Sequence, residues 1–168
     1  MTNDPRHPQA AGRVAAPGPQ PADAGAHISR SFAPDGVPAP VAAFAEGRIE
    51  QARIGRILMV CARDSEIGSH NWEPFARWLV DEVRTANGLR GGLVLDLRRV
   101  NRISSRGLRA LSLGWQEQTE GAIAICGLNA IPREVFEIAR YDRLFEIHDD
   151  STTAYLAMAA KLRDRAAR

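Results

Sequence analysis

The sequence predicts an α/β fold with one small mixed β-sheet of roughly four to five strands, packed by about four helices. Three apolar runs have the length and composition of buried strands, at residues 56–62, 93–97 and 122–126. The segments between and after these runs carry apolar residues at the three- and four-residue spacing of amphipathic helices. Strands that alternate with helices in this way are typical of α/β domains.

The first part of the predicted domain contains two strands and a helix. Residues 48–54 are a weak strand candidate, whereas residues 56–62, which are apolar after Arg56, predict a buried strand. Ser69 or Asn71 is expected to cap the helix that follows, because Pro74 and a helical apolar pattern come next. The stripe expected to be buried on this helix consists of Phe75, Trp78, Leu79 and Val83.

The central stretch runs from a third strand into a second helix. The strand at residues 93–97 carries a carboxylate at Asp96, which needs hydrogen-bond partners if it is buried. We expect those partners to be loop N–H groups near Ser104. Ser104 and Ser105 stand where a helix N-cap belongs, at the positive end of the helix dipole. The apolar stripe that predicts this helix consists of Leu108, Leu111 and Trp115.

Two further pairs of strand and helix complete the predicted domain. Pro132 is expected to begin a short helix after the strand at 122–126, and Ser151 caps the last helix after a short strand at 144–147. The pair at 149–150, two aspartates, favours a solvated loop and an extra cap over an acidic site. The side chains expected to be buried on the two helices are Val135, Ile138, Tyr155, Met158, Ala159 and Leu162.

The chain of 168 residues suffices for one domain with a tail. Residues 1–42 hold eight of the ten prolines and predict a disordered Pro/Ala-rich tail. Residues 46–168 are the predicted domain. For the tail, a solvated extension is favoured over a docking arm for a partner.

Composition and charge are those of a soluble globular protein, with 45% hydrophobic and 25% charged residues. A net charge of +2 argues against strong nucleic-acid or membrane binding. Cys61 and Cys126 lie inside apolar runs and are predicted to be reduced core residues. Because the N-terminus lacks the apolar segment of a signal peptide, we expect a cytoplasmic protein.

Patterns for metal, nucleotide or nucleophilic chemistry are lacking. His70 and His148 are isolated in the sequence, which disfavours a metal site. No Gly-rich loop follows a strand, and Ser105 is not part of a Gly-x-Ser-x-Gly turn. The sequence therefore predicts a protein that is not an enzyme and that holds no metal or cofactor.

A cluster of arginines is the unusual feature of the central stretch. No acidic residue occurs between Leu97 and Gln116. Arg106 and Arg109 occupy the first turns of the predicted helix, where the dipole disfavours cations. Residues that break the usual preferences for charge along a helix are most often found at functional sites. A solvated basic face explains this pattern of arginines equally well. The cluster consists of Arg98, Arg99, Arg102, Arg106 and Arg109.

The central stretch resembles the signature of STAS domains. In the anti-sigma factor antagonists of that family, Leu-Asp-Leu and a spacer precede Ile-Asp-Ser-Ser-Gly-Leu or Ile-Ser-Ser-Ala-Gly-Leu. Here residues 95–97 read Leu-Asp-Leu, and residues 103–108 read Ile-Ser-Ser-Arg-Gly-Leu. Residues 132–138 and 141–147 are similar to the family's closing helix and strand. The resemblance covers roughly residues 48–160.

The resemblance implies a regulatory binding protein instead of an enzyme. The unphosphorylated antagonist binds an anti-sigma factor that is also a serine kinase of the histidine-kinase-like ATPase fold, and this frees the sigma factor for transcription. Phosphorylation at the strand-to-helix corner ends the binding, because a phosphate adds charge and bulk to the contact surface. A PP2C-like phosphatase is a further implied partner.

By its position in the motif, Ser105 is the implied phosphorylation site, with Ser104 as the second choice. Ser104 stands where many members have Asp, and Arg106 stands where many have a second Ser or an Ala. The implied partner-binding residues are Asn101, Arg102, Ser104, Ser105, Arg106 and Arg109.

Two other functions fit the sequence. A STAS domain without a phosphorylation switch would serve as a scaffold or subunit of a larger regulatory or transport-associated complex. A small enzyme or nucleotide-binding protein would use the basic corner to bind phosphate, and the lack of a base or metal cluster disfavours it.

Overall fold

The computed structural model of the protein describes residues 36–119 and 121–168. Its strands are β1 (Gln51–Ile54), β2 (Ile57–Cys61), β3 (Glu66–Ile67), β4 (Gly92–Asp96), β5 (Arg102–Ile103), β6 (Ala122–Cys126) and β7 (Glu146–His148). Its helices are α1 (Ala39–Ala45), α2 (Trp72–Gly88), α3 (Ser105–Gln116), α4 (Ala130–Ile138) and α5 (Ser151–Ala166), with a 3-10 helix at Tyr141–Arg143.

The main sheet has five strands in the order β1-β2-β4-β6-β7. β1 and β2 form an antiparallel hairpin that turns at Gly55, where φ is +60°. The other neighbours are parallel, so a helix crosses over between each consecutive pair. All five residues of β2, of β4 and of β6 are buried, as expected for strands covered on both faces. The predicted mixed sheet of four to five strands is confirmed.

Apolar side chains form a core on each face of the sheet. One core joins the sheet to α2, α3 and α4 through the side chains of Leu58, Leu79, Leu95, Leu111 and Phe136, among others. The other joins it to α1 and α5 and includes Phe44, Met59, Val94 and Met158. Each helix therefore buries one side against the sheet, which follows from the amphipathic patterns in the sequence.

Helix α3 buries part of the predicted stripe, since Leu111 is buried and Leu108 packs against the core, and it adds small residues to the buried side. Gly107, Ala110, Leu111 and Gly114 are its buried residues. A Cβ atom on Gly114 would lie 2.6 Å from Leu79 Cδ2, so this glycine lets α2 and α3 approach closely. Trp115 was expected in the buried stripe, and that expectation is wrong because 38% of the residue is exposed.

The largest correction concerns α1. The predicted tail ran through residue 42, and the predicted domain began at residue 46. Helix α1 instead begins at Ala39, and its side chains Val41 and Phe44 are 0% exposed. Residues 39–42 therefore belong to the folded unit. Residues 36–38 of the predicted tail precede this helix, and residues 1–35 lie outside the described residues.

Replacing Val41 by Ala should destabilise the protein by about 1–2 kcal/mol, because it removes two buried methyl groups from the core. Chemical denaturation of the full chain measures this change. Ile138→Ala removes more side chain from a position that is 76% exposed and should change stability by less than about 0.5 kcal/mol. Equal, small effects of the two variants would show that α1 does not contribute to the core.

Several smaller differences lie at element ends. Helix α4 begins at Ala130, two residues before Pro132, and Ile138 is exposed instead of buried. Asp150 caps α5 by accepting a hydrogen bond of 2.8 Å from the Thr153 backbone N–H, whereas Ser151 is the first helical residue. Asp150 therefore has the capping role expected of the 149–150 pair.

None of the helices within the described residues is both long enough and apolar enough to span a bilayer.

The structure also contains a sheet that was not predicted. It is a separate parallel pair of two strands, β3 and β5.

Candidate functional site

The strand-to-helix corner lies between the end of β4 and the start of α3. The short strand β5 holds the connecting loop by pairing with β3, in the register Ile67 to Ile103. The Ile67 carbonyl accepts a hydrogen bond of 3.0 Å from the Ser104 N–H. A Cβ atom on Gly107 would lie 2.3 Å from the same carbonyl oxygen, so only glycine allows α3 to start here. The corner is therefore fixed by backbone contacts on both sides of the two serines.

The two serines have different environments. Ser104 is the N-cap of α3, and its Oγ accepts a hydrogen bond of 3.3 Å from the Gly107 N–H. Ser105 is the first residue of the helix and is exposed, and no hydrogen bond of its hydroxyl is found among the described residues. The hydroxyl of Ser104 thus serves the helix, whereas that of Ser105 is accessible from solvent.

Arg98 is a structural residue, although it belongs to the arginine cluster. Asp96 is 1% exposed and accepts hydrogen bonds of 2.8 Å from both the N–H and the Nε of Arg98. The Arg98 guanidinium also donates to the carbonyls of Ala45 and Phe44, at 2.6 and 3.0 Å, and lies over the Phe44 ring. Asp96 and Arg98 therefore attach the C-terminal end of α1 to the sheet.

The expectation for Asp96 was half right. Its burial is as predicted, but its partner is Arg98, two residues along the chain, and not a loop N–H near Ser104. The reason is geometric. Asp96 shares a face of the sheet with Val94, which packs in the core under α1 and α5. Its carboxylate therefore points to the opposite side from α3.

The remaining four arginines of the cluster divide into two pairs. Arg99 forms an ion pair with Glu50, and Arg102 forms one of 2.5 Å with Glu66. The Arg99 guanidinium lowers the pKa of the Glu50 carboxyl below its usual value. Arg106 and Arg109 are exposed, and no ion pair of either is found within residues 36–119 and 121–168. The free positive charge of the cluster is therefore concentrated on α3.

Helical geometry places Ser105 and Arg109 one turn apart on the same side of α3. Ser112 and Gln116 continue this line, and all four lie opposite the buried residues of the helix. Tyr141 borders this side, because its hydroxyl is 2.6 Å from Ser112 Oγ and donates to the Leu108 carbonyl at 3.0 Å. The result is a solvent-facing helix surface with a hydroxyl and a cation at its N-terminal end.

Asn101 is exposed next to this surface, and its side chain takes part in the hydrogen bonds that hold the loop. Its Oδ1 accepts a hydrogen bond of 3.2 Å from Asn129 Nδ2, which also donates to the Val100 carbonyl at 2.9 Å. Of the predicted partner-binding residues, Ser105, Arg106 and Arg109 are therefore exposed on α3. Those with partners in the fold are Asn101, Arg102 and Ser104.

The groups with reactive chemistry lie away from this surface. Cys61 and Cys126 are free and buried, and burial raises the pKa of both thiols, which keeps them protonated. His148 lies at the end of β7, with Nε2 3.3 Å from the Glu146 carboxylate. Within the described part of the chain, no group of three His, Cys, Asp or Glu side chains is placed to hold a metal ion.

Sequence reasoning missed two residues that position the corner, Glu66 and Asn129, and also Phe44, which contacts Arg98 on the other side of the sheet. Glu66 pairs with Arg102, and Asn129 supports the loop, but both come from elements distant in sequence. The only indication of Glu66 and Asn129 in the sequence is that each is a polar residue next to a predicted strand or the start of a predicted helix. Phe44 lies before the predicted domain, so the sequence does not indicate its contact with Arg98.

Comparison with known proteins gives a sequence relative that covers part of the chain. No profile of a known protein family matches the chain. A stretch of 72 residues, 42% of this chain, is 36% identical to BtrV of Bordetella bronchiseptica, which is named as a candidate anti-sigma factor antagonist. The match spans 62% of BtrV, which is less than two thirds of its length.

Solved structures give the fold. A candidate anti-sigma factor antagonist from Thermotoga maritima superposes with a TM-score of 0.56 at 18% identity, covering 65% of this chain and 92% of that one. An anti-sigma factor antagonist (STAS) domain protein from Planctomyces limnophilus superposes equally, with a TM-score of 0.56 at 18% identity, and 64% and 94% of the two chains covered. The resemblance predicted from the sequence is therefore confirmed, and the chain has the fold of the STAS-domain anti-sigma factor antagonists.

Proposed function

We propose that this protein is a partner-switching regulator that binds an anti-sigma factor and is released by phosphorylation of Ser105. The observation that carries the proposal is the difference between the two serines of the motif. Ser104 uses its hydroxyl as the cap of α3, whereas the Ser105 hydroxyl is exposed at the first helical position. A kinase needs an accessible hydroxyl, and only Ser105 offers one without removing the cap.

The proposed partner is an anti-sigma factor that is also a serine kinase of the histidine-kinase-like ATPase fold. Its contact surface should be acidic, because Arg106 and Arg109 present positive charge on α3 without ion pairs in the described structure. Trp115, 38% exposed on the same helix, adds aromatic surface of the kind enriched at interfaces. The encounter would take place in the cytoplasm, and a PP2C-like phosphatase would restore the unphosphorylated form.

Phosphorylation would end binding by electrostatics. A phosphate on Ser105 brings between one and two negative charges into a surface that otherwise offers cations to an acidic partner. The helix start itself can accommodate the phosphate, since N–H groups and the dipole favour anions there. The fold should therefore tolerate the modification while the complex does not.

Binding of purified candidate anti-sigma factors from the same genome tests the proposal. The full chain should bind one of them, and Arg109→Glu should slow association roughly tenfold and flatten its salt dependence. Arg53→Glu is the matched control, because Arg53 is also exposed but lies on the edge strand β1. Identical association rates for the wild type and both variants, or no binding by any candidate, would contradict the proposed interface.

A further inference from the structure

The proposed phosphorylation site and an unpaired arginine lie on the same line of α3. Ser105 and Arg109 are four residues apart, and side chains at this spacing in a helix are neighbours, with Cβ atoms about 6 Å apart. Both residues are exposed, and no ion pair of Arg109 is found in the described part of the chain. The Arg109 guanidinium is thus free to meet a group attached to the Ser105 hydroxyl.

We propose that the Arg109 guanidinium binds the phosphate on Ser105. Phosphorylation would then make this cation unavailable to the partner, which contacts it in the unphosphorylated protein. This inference rests on the proposed function, because it concerns the regulation of that site. A guanidinium binds a phosphate through two parallel N–H···O hydrogen bonds, which are short and charge-assisted. The Arg109 side chain is long enough to reach a phosphate on Ser105, which lies one helical turn away.

The other arginines of the cluster are less well placed. Arg98 is held by Asp96 and by two carbonyls of α1, and Arg99 is paired with Glu50. Arg102 is paired with Glu66 at 2.5 Å. Arg106 follows Ser105 directly, and adjacent residues of a helix diverge by about 100° around its axis. Arg109 therefore combines a free charge with the right direction.

This pairing gives the switch two effects from one modification. The phosphate introduces a repulsive charge, and it also engages Arg109, which the acidic partner would otherwise contact. A carboxylate at position 105 has a shorter side chain and less charge, so it should engage Arg109 less completely. The phosphorylated protein should therefore bind the partner more weakly than an Asp variant does.

The test uses full-length protein in which phosphoserine is incorporated at position 105 during translation, so no kinase is required. A pH titration followed by ³¹P NMR gives the second pKa of the phosphate. A nearby guanidinium favours the dianion, so Arg109→Gln should raise this pKa by about 0.5 unit or more. Arg53→Gln should leave it unchanged, and Arg106→Gln should move it by less than half as much as Arg109→Gln.

An unchanged phosphate pKa in the folded Arg109→Gln variant would overturn the inference, as would a shift in Arg106→Gln of the same size. Circular dichroism of the three variants verifies that each is folded. The result is independent of the proposed function, because a kinase that fails to modify Ser105 has no effect on a phosphate already in place. Conversely, absence of the contact between Arg109 and the phosphate would not contradict the proposal that phosphorylation of Ser105 releases the partner.

Discussion

Replacing Ser105 by Asp should leave the protein folded and weaken its binding to the anti-sigma factor by about a hundredfold. A carboxylate suits the first turn of a helix, so the stability of α3 should not fall. At the centre of an interface the same carboxylate is desolvated opposite an acidic surface, and an unpaired buried charge costs several kcal/mol. A hundredfold loss corresponds to about 2.7 kcal/mol.

Two serine variants control this experiment. Ser105→Ala keeps the surface neutral and should bind with nearly the affinity of the wild type. Ser104→Ala removes the cap whose Oγ accepts from the Gly107 N–H and should destabilise the protein by about 1 kcal/mol without abolishing binding. Wild-type affinity in Ser105→Asp, measured by isothermal titration calorimetry, would place the interface elsewhere on the molecule.

Replacing Asp96 by Ala should have the largest effect on stability, a loss of about 3 kcal/mol. Asp96 is 1% exposed, and Arg98 donates to it from both its backbone and its guanidinium. Removing one partner of such a pair leaves the other charge poorly solvated, at a cost of roughly 3–5 kcal/mol when fully buried. The lower figure applies because the Arg98 side chain is 30% exposed.

The loss should also reach α1, since the Arg98 guanidinium is hydrogen-bonded to the carbonyls of Phe44 and Ala45. Urea denaturation gives the free energy of unfolding, and Asp96→Asn serves as the variant that preserves the shape of the side chain. Asp149→Ala is the matched control, because Asp149 forms an ion pair with Arg133 but is 91% exposed. It should cost less than about 0.5 kcal/mol, and an equally small effect of Asp96→Ala would contradict the structural role of the pair.

The central sheet was predictable because its strands are continuous apolar runs. All five positions of β4 and of β6 are buried, and such strands leave little ambiguity in the sequence. Helix α1 was not predictable by composition, because Pro and Ala dominate around it as they do in the preceding residues. Its folding depends on Val41 and Phe44 reaching the core, and this tertiary contact has no local signal.

At the site, the position of the corner was predictable and its details were not. The motif placed Ser104 and Ser105 at a helix start, but both are good caps, and only the geometry shows that Ser104 is the one used. The arginines looked alike in sequence. Their roles differ because Arg98 follows Asp96 by two residues and pairs with it, and because the fold brings Glu50 beside Arg99 and Glu66 beside Arg102.

Trp115 shows how a helical pattern can mislead. Its spacing from Leu111 fits a buried stripe, but the close contact of Gly114 with Leu79 turns the small-residue side of α3 toward α2. The indole is left 38% exposed, beside the surface that carries Ser105 and Arg109. The side of α3 that faces α2 is therefore set by the close approach at Gly114 as well as by the apolar residue Leu111.

The most direct test of partner switching is to incubate the full chain with ATP and the ATPase-fold anti-sigma factor that binds it, then to locate phosphate by mass spectrometry. We predict one phosphate, on Ser105, and release of the modified protein from the complex. Ser105→Ala should remain unmodified and bound under the same conditions. A complex that persists with ATP while no phosphate is found on Ser104 or Ser105 would contradict the account and support a STAS scaffold without a switch.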